Sequence, residues 1–302
     1  MAKLVRAIES NVGERRRYKK QLIQIQREFQ TFILNQIYLE LDRLNDLTDG
    51  DEIVAMDAEL GPSDQERSRL KRIKTMMLKR HLDMSDIMAD IVGRNITGWL
   101  KKLSDASVKV AQSFVNKTVS STTRAQRSAL TTAGVSPGLM EKWWNVPVVG
   151  KQHVSASVAN AMPDMIRDNV SLITKIGERD IQRISEVLTN GLTNGLNYHE
   201  LRKQLRQTDG FDSARADRVA LDQINKINQQ VQIMNAQSLC CTHGRWKHVP
   251  GAFTSRKTHI AMDGKEFDLA VGMYDPAVNM NVKPGELPYC RCVFNLVLPK
   301  EL

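Results

Sequence analysis

The stretch RKTHIAMDGKEF, from Arg256 to Phe267, decides the fold together with PGELPYCRCVFNL, from Pro284 to Leu296. Asp263-Gly264 lies between two short runs, Thr258 to Met262 and Lys265 to Leu269. Both residues of the dipeptide tolerate the positive φ angles of a type I′ turn. The sequence therefore predicts a β-hairpin that turns at this dipeptide.

A final strand is predicted after Pro288, where apolar side chains alternate with other residues. Positions 290, 292, 294, 296 and 298 read Cys, Cys, Phe, Leu and Leu, with Arg, Val, Asn and Val between them. A period of two places Cys290 and Cys292 together on the apolar face of this strand. The run RWKHV, from Arg245 to Val249, alternates in the same way and predicts an earlier strand.

Upstream of these strands the patterns are helical. Apolar residues recur at steps of three to five from Gln21 to Leu47, which is typical of a long amphipathic helix. Ser63 and Glu66 form a capping-box pattern that predicts the start of a second helix.

The middle of the chain contains signals for a break. Gly93 and Gly98 predict an end or a kink before a helix from Trp99, and the Ser- and Thr-rich passage at 120–138 is typical of a mobile connector. Trp143-Trp144 follows. Because indoles bury a large area, this pair is either an interface hot spot or part of the core.

Three further helices precede the strands. One has Pro163 in its first turn, a short one follows a second capping box at Asn197 and Glu200, and Asp212 or Ser213 caps a long one. The polar face of this last helix is rich in Asn and Gln. Its predicted inward face consists of Ala216, Ala220, Ile224, Ile227, Val231 and Met234. The predicted fold class is α+β, with a mostly helical N-terminal region and C-terminal helices followed by a small antiparallel sheet.

The composition is that of a globular protein with unevenly distributed charge. The chain has 302 residues, 41% hydrophobic and 25% charged, which suffices for two domains and a sizeable core. Its net charge is +9, and residues 66–120 carry 12 basic against 5 acidic side chains, whereas 46–65 carry 7 acidic and no basic ones. This asymmetry indicates either contact with a polyanion or a basic helix face neutralised by the acidic segment.

Composition also argues against several classes of protein. The sequence contains no run of 18 apolar residues, so no membrane-spanning helix is predicted. Residues 1–20 lack the apolar segment of a secretory signal, and we therefore expect synthesis in a cytoplasm. The four cysteines all lie between 240 and 292 and are predicted to be reduced thiols. No Gly-rich phosphate loop supports nucleotide hydrolysis.

From about residue 170 to 298 the chain resembles the Mu F-like head morphogenesis, or minor head, proteins of tailed bacteriophages. The resemblance rests on a helix of the ARADRVALDQ type, a tryptophan strand, an R-x-x-H-x-x-x-D-G motif and a terminal C-R-C. The residues at the family's motif positions are Trp246, Arg256, His259, Asp263, Gly264, Cys290, Arg291 and Cys292.

This resemblance implies a non-enzymatic protein of the virion that acts in head assembly, at the portal vertex or in the head interior. Its implied partners are the portal protein, a major capsid or scaffold protein, and double-stranded DNA; no membrane is involved. Residues 1–130 would then be a helical portal or capsid attachment region, 131–170 a connector and 171–302 the Mu F-like domain. Alternatives are a DNA-binding internal head protein, ejected with the genome or regulating its release, and an enzyme delivered by the virion.

The basic segment suits contact with DNA phosphates, because clustered Lys and Arg release counterions without reading sequence. Aromatic residues make up only 5% of the chain, which leaves little for stacking on single strands. The predicted DNA- or portal-binding residues are Arg67, Arg69, Arg72, Lys79 and Arg80.

A zinc site is one of three hypotheses for the C-terminal motif. His259, Cys290 and Cys292 could supply three ligands of a structural zinc ion, with His243, His248 or Cys241 as the fourth. The alternatives are that no cofactor binds and the cysteines are buried thiols, since Phe294 and Leu296 continue their face, or that they form a disulfide after lysis.

The two other hypotheses concern catalysis and scaffolding. His259 and Asp263 could form a general base and its orienting carboxylate, although no nucleophile accompanies them. Arg291 could instead pair with Asp222 or Asp263 and fix the long helix to the sheet.

Overall fold

The computed structural model describes residues 3–48, 84–148, 152–194, 196, 198–207, 213–250 and 255–300. The first elements in these ranges are β1 (Leu4–Val5), α1 (Val12–Thr48), α2 (Met84–Thr132), α3 (Pro137–Trp143), β2 (Val146–Pro147), β3 (His153–Val154) and α4 (Ala156–Thr193). They are followed by α5 (Tyr198–Gln207), α6 (Ser213–Ser238), β4 (His243–Lys247), α7 (Lys257–Ala261), β5 (Glu266–Asp268), β6 (Met273–Asp275), β7 (Met280–Val282) and β8 (Val293–Val297). The predicted α+β class is confirmed.

The chain divides into two compact units that are each assembled from separate segments. Unit 1 consists of Met1–Ile23, Ala106–Leu172 and Asp212–Leu302, and unit 2 consists of Gln24–Asp105 and Ile173–Phe211. These units differ from the contiguous ranges 1–130, 131–170 and 171–302 predicted from the sequence. The reason is that α1, α2 and α4 each contribute residues to both units.

Helix α2 corrects the predicted connector at 120–138 and the predicted helix end at Gly93 and Gly98, whereas a kink at these glycines stays a prediction. It passes through Gly93 and Gly98 without ending, and it includes the Ser- and Thr-rich passage as far as Thr132. The hydroxyls of Thr131 and Thr132 donate to backbone carbonyls one turn earlier, at 3.0 and 2.9 Å. The polar composition was misleading because a hydroxyl group in a helix can donate a hydrogen bond to a backbone carbonyl of the same helix. The predicted start of this helix at Ser63 lies outside the described residues.

The start of helix α4 also differs from the prediction. Pro163 lies inside the helix, which begins seven residues earlier at Ala156. Ser155 caps it, because its Oγ accepts the N–H of Val158 at 3.4 Å. Helices α5 and α6 lie where the sequence predicts them, and the expected inward residues of α6 are buried except Met234, which is half-buried.

Unit 2 contains apolar faces of α1 and α4 together with α5. Gly177 allows close packing there, since a Cβ atom at this position would lie 2.2 Å from Leu103 and 2.9 Å from Phe29. Gln26 donates from its buried amide to the carbonyl of Ile173 at 3.1 Å. At the end of α1, Asp42 pairs with Arg202 of α5 at 3.4 Å.

The main sheet of unit 1 is antiparallel, with the strand order β1-β8-β4-β5. Strand β1 from the N-terminus adds an edge that the sequence did not predict, pairing Leu4 with Val297. The apolar side chains of the central strands meet in an aromatic cluster, in which Trp246 and Phe294 each make an edge-to-face contact with Phe267 at 5.7 and 5.9 Å between ring centroids.

The predicted hairpin at Asp263-Gly264 is wrong. Residues 257–261 form helix α7, and the dipeptide turns the chain from that helix into β5, which pairs with β4. Only Gly264 has a positive φ, of 76°, so the dipeptide does not form a type I′ turn. A glycine after a helix can terminate it by the same left-handed conformation, which explains the ambiguity.

Adjacent Trp143 and Trp144 have different environments. Trp144 is 1% exposed, and its Nε1 donates to Ser238 Oγ at 3.0 Å and to the carbonyl of Asn235 at 3.3 Å. Trp143 is 47% exposed. The core role predicted as one of two alternatives therefore applies to Trp144 alone.

Gly272, which leads into the β6–β7 hairpin, permits a test of the packing there. It has a φ of 93°, and a Cβ atom would lie 2.6 Å from the carbonyl oxygen of Val282. We expect Gly272→Ala to lower the free energy of unfolding by about 2 kcal/mol or more, because a left-handed alanine costs about 1–2 kcal/mol before any clash. The matched control is Gly264→Ala, which also has a positive φ but no atom within 4 Å. Urea unfolding followed by circular dichroism measures both, and equal losses would contradict the steric part of the argument.

Candidate metal centre

Three predicted ligands converge in the interior of unit 1. His259, Cys290 and Cys292 are all buried, and their ligand atoms lie within 4.8 Å of one another. Nδ1 of His259 is 3.4 Å from Sγ of Cys290 and 3.6 Å from Sγ of Cys292. The structure thus brings together one imidazole and two thiols from separate parts of the chain.

Local structure explains this convergence. His259 lies in the short helix α7, which is followed directly by the Asp263-Gly264 turn. Cys290 and Cys292 immediately precede β8 rather than belonging to it, but both remain buried, as the period-two pattern predicts. Trp246 of β4 packs its ring edge-to-face on His259, with 5.2 Å between centroids. The aromatic cluster therefore fixes the position of the imidazole.

Among the candidate fourth ligands, the structure favours His248. Its Nδ1 lies 3.5 Å from Sγ of Cys292, and its ring is half-buried. His243 is exposed, and its Nδ1 is paired with the hydroxyl of Thr242 at 2.8 Å. Cys241 is buried, and burial raises the pKa of its thiol to about 12, with a further contribution from Cys240. The cluster of possible ligands in the described part of the chain consists of His259, Cys290 and Cys292, and it includes none of His248, His243 and Cys241.

Asp275 of β6 is a site residue that sequence reasoning missed. Its Oδ2 lies 3.2 Å from Nε2 of His259, and both side chains are almost completely buried, at 0% and 2% exposure. The ring N–H is not well aligned on this oxygen, but neither atom has a hydrogen-bond partner elsewhere in the described chain. The other oxygen, Oδ1, accepts the N–H of Ala277 at 2.9 Å. Nothing in the spacing of the sequence links Asp275 to His259, because the contact depends on where the β6–β7 hairpin folds.

The two cysteines are electrostatically unequal. The hydrogen bond from Cys292 and the neighbouring His259 lower the pKa of Cys290, against the opposing effect of burial. The contact with Cys290 and burial raise the pKa of Cys292. The opposite directions follow from the contact between the two thiols.

The segment before the cysteines is attached to helix α6. Asp222 accepts the N–H of Tyr289 at 2.7 Å, and the amide of Asn225 donates to the carbonyl of Cys290 at 3.1 Å. Tyr289 has a φ of 62°, which turns the chain so that both contacts form. Arg256 adds a bond to the carbonyl of Pro288 at 3.0 Å.

The predicted ion pair of Arg291 with Asp222 or Asp263 is wrong. The second oxygen of Asp222 pairs with Lys226 one turn along α6, at 2.9 Å. Asp263 accepts the backbone N–H of His248 at 2.8 Å. Among the described residues Arg291 forms no ion pair with either carboxylate, because both already contact nearer groups; it lines the cavity beside the cysteines.

The Asn- and Gln-rich face of α6 is buried rather than exposed. Asn228 and Gln232 both donate to the carbonyl of Ile8, at 3.0 and 3.1 Å, and Ser10 donates to Asn225 at 2.7 Å. These bonds attach the N-terminal segment to α6. The buried polar residues of this helix are Asn225, Asn228, Gln229, Gln232 and Asn235. Their spacing of three and four residues was the signal for a single face, but polarity suggested solvent.

Asn235 forms three hydrogen bonds through its side chain. Its amide donates to Gln126 Oε1 at 3.1 Å and to Thr123 Oγ1 at 3.3 Å, and its Oδ1 accepts the N–H of Ser155 at 3.3 Å. It therefore joins α6 to α2 and to the start of α4.

The predicted DNA- or portal-binding residues Arg67, Arg69, Arg72, Lys79 and Arg80 lie outside the described residues. Their role stays a prediction.

Comparison with known proteins tests the resemblance directly. Residues 182–295 match the family model described as Phage Mu protein F like protein. This segment is Mu F-like. The match includes all eight motif positions and confirms the resemblance predicted from them. The match, which covers residues 182–295 of 302, suggests a phage head morphogenesis protein.

No curated protein and no solved structure matches the chain. No helix in the described ranges is sufficiently long and apolar to span a membrane. The similarity to known proteins therefore rests on the Mu F-like segment, residues 182–295.

Proposed function

We propose that this protein is a minor head protein that acts in procapsid assembly at the portal vertex, where it contacts the portal protein and a capsid or scaffold protein. The observation that carries the proposal is the Mu F-like match over residues 182–295. The proposed role is structural rather than enzymatic. In this role the Mu F-like segment provides a stable fold, and attachment surfaces form the contacts with the particle.

Deletion of the gene from the phage that encodes this protein tests the assembly role. We expect particles assembled without the protein to be depleted in DNA-filled, infectious heads, and wild-type protein supplied from a plasmid to restore them and to copurify with the portal. Normal yields of filled heads without the protein would contradict the proposal. If filled heads form but do not infect, release of the genome, as proposed for an internal head protein, becomes the better interpretation.

Contact with packaged DNA is the second part of the proposal, and the charge distribution supports it. The chain has a net charge of +9, with a basic excess in residues 66–120. Contacts of this kind reach phosphates only and are sequence-independent. Affinity for duplex DNA should therefore fall steeply as salt concentration rises.

Substituting Gln for Arg67, Arg69, Arg72, Lys79 and Arg80 should weaken duplex binding and flatten its salt dependence. Each phosphate contact that is lost should reduce the slope of log K against log salt by about 0.9. The measurement is a fluorescence anisotropy titration of a random-sequence duplex at several salt concentrations. The control removes the same charge from five exposed residues elsewhere, Lys175, Arg179, Lys203, Arg206 and Lys265. Equal effects of the two variants would show that net charge, and not the basic segment, determines binding.

A further inference from the structure

We propose that His259, Cys290, Cys292 and His248 bind one zinc ion, which closes the Mu F-like segment as a structural site. Nothing in the family match assigns a metal to this chain. The proposal rests on the geometry of the four side chains, on the carboxylate behind His259 and on the cavity that leads to them.

The distances within the cluster suit a shared ion. Zinc bonds to sulfur at about 2.3 Å and to imidazole nitrogen at about 2.0–2.1 Å, so that a tetrahedral arrangement separates N and S ligands by about 3.6 Å. The two separations from His259 Nδ1 to the cysteine sulfurs are 3.4 and 3.6 Å. Both separations therefore suit ligands of one tetrahedral ion, and all three ligand atoms lie within 4.8 Å of one another.

Asp275 provides an independent indication of metal binding. It faces Nε2 of His259 at 3.2 Å inside the protein, where neither atom has another partner in the described chain. A carboxylate in this position keeps the proton on Nε2 and directs the lone pair of Nδ1 towards the sulfurs. When both thiols have lost their protons, the lone pairs of Nδ1 and the two sulfurs converge, and a cation among them relieves their repulsion.

His248 can complete the tetrahedron. Its Nδ1 contacts Sγ of Cys292 at 3.5 Å, and its half-buried ring would turn towards His259 and Cys290 when the ion binds. Its backbone is fixed by the bond from its N–H to Asp263 at 2.8 Å. With two thiolates, two neutral imidazoles and Zn²⁺, the ion and its ligands have no net charge, which suits a buried position.

An entry path for the ion is present. A cavity of about 230 Å³ borders the site and is lined by His248, His259, Cys290 and Cys292 as well as by Arg256 and Tyr289. Soft thiolate and imidazole ligands favour zinc over magnesium or calcium. Four protein ligands leave no open coordination position, so the site is structural and not catalytic.

The ion would connect separate elements of unit 1. Its ligands come from the end of β4, from α7 and from the segment before β8, and Asp275 adds β6. The four-stranded sheet of unit 1 would thereby be joined to the short helix and the small hairpin. In this arrangement the Arg-x-x-His and C-R-C motifs supply ligands to the same ion.

Elemental analysis of the full-length chain, purified under reducing conditions without chelator, tests the proposal. We expect one zinc ion per chain in the wild type and in the control Cys240→Ala/Cys241→Ala, and a loss of zinc in Cys290→Ala/Cys292→Ala. Absence of zinc from the wild type, even after reconstitution with zinc alone, would overturn the proposal. Full zinc content in the Cys290→Ala/Cys292→Ala variant would overturn it as well.

Cobalt substitution and milder variants keep the test valid if the double cysteine variant does not fold. Co²⁺ added to the metal-free wild type should give the visible bands of a tetrahedral centre and a thiolate-to-cobalt charge-transfer band.

We expect Asp275→Asn to weaken zinc binding by about 10–100-fold. His248→Ala should weaken binding and change the cobalt bands; an unchanged spectrum would overturn the assignment of His248 as fourth ligand. A spectrum without thiolate charge transfer would overturn the site as a whole.

Discussion

Trp144→Ala should lower the free energy of unfolding by about 3–5 kcal/mol, the usual range for removing a buried aromatic side chain. Trp144 is 1% exposed, and the guanidinium of Arg127 lies 5.5 Å from its ring centroid. The substitution leaves a cavity, removes the stacked cation and deprives Ser238 of a hydrogen-bond donor. All three effects act in the same direction.

The neighbouring residue provides a matched control. Trp143→Ala removes the same side chain from a position that is 47% exposed, and should change the free energy of unfolding by about 0.5 kcal/mol or less. Urea unfolding followed by far-ultraviolet circular dichroism suits both variants, because tryptophan fluorescence itself changes. Similar losses for the two variants would contradict the different burial of the pair. If Trp143 lies in an interface with another head protein, its substitution should impair assembly while leaving stability unchanged.

Asn235→Leu should destabilise the protein by about 3 kcal/mol although it preserves side-chain size and adds apolar surface. The amide is fully buried, and its loss leaves Gln126 Oε1 and the N–H of Ser155 without that partner. A buried polar group without a partner costs about 1–3 kcal/mol. The hydroxyl of Thr123 can rotate and contributes less.

The control for Asn235 lies on the same helix. Gln237→Leu introduces the same side chain at an exposed position of α6 and should change the free energy of unfolding by about 0.5 kcal/mol or less. Urea midpoints and the slopes of the transitions are compared for both variants. An Asn235→Leu protein as stable as the wild type would show that the polar face of α6 contributes nothing to its attachment. The double variant Asn235→Leu/Gln126→Leu should recover part of the loss, because it removes an unsatisfied acceptor as well.

Several features could be predicted from the sequence because they depend on neighbouring residues only. The apolar period in α1 and α6 and the capping box before α5 located helices correctly. The alternation from Cys290 to Leu298 identified a buried face, although β8 begins only at Val293. The motif residues identified the Mu F-like segment, which the family match confirms.

Other features were misread because local composition has two interpretations. Hydroxyl-rich residues 120–132 were predicted to be a connector, but they continue α2 with internal hydrogen bonds. Asp263-Gly264 suits a hairpin as well as the end of a helix, and the preceding residues formed α7. In both cases contacts distant in sequence select one interpretation.

By itself the sequence determined the helix periods, the apolar face that includes both cysteines, and the motif that identifies the Mu F-like segment. Only the tertiary structure decided that Asp275 lies behind His259, that Nδ1 of His248 contacts Sγ of Cys292, and that the polar face of α6 binds the N-terminal segment. The physical reason is that periodicity reports which side of an element a residue occupies. The partner that this side meets depends on chain segments tens to hundreds of residues away, and no local pattern encodes it.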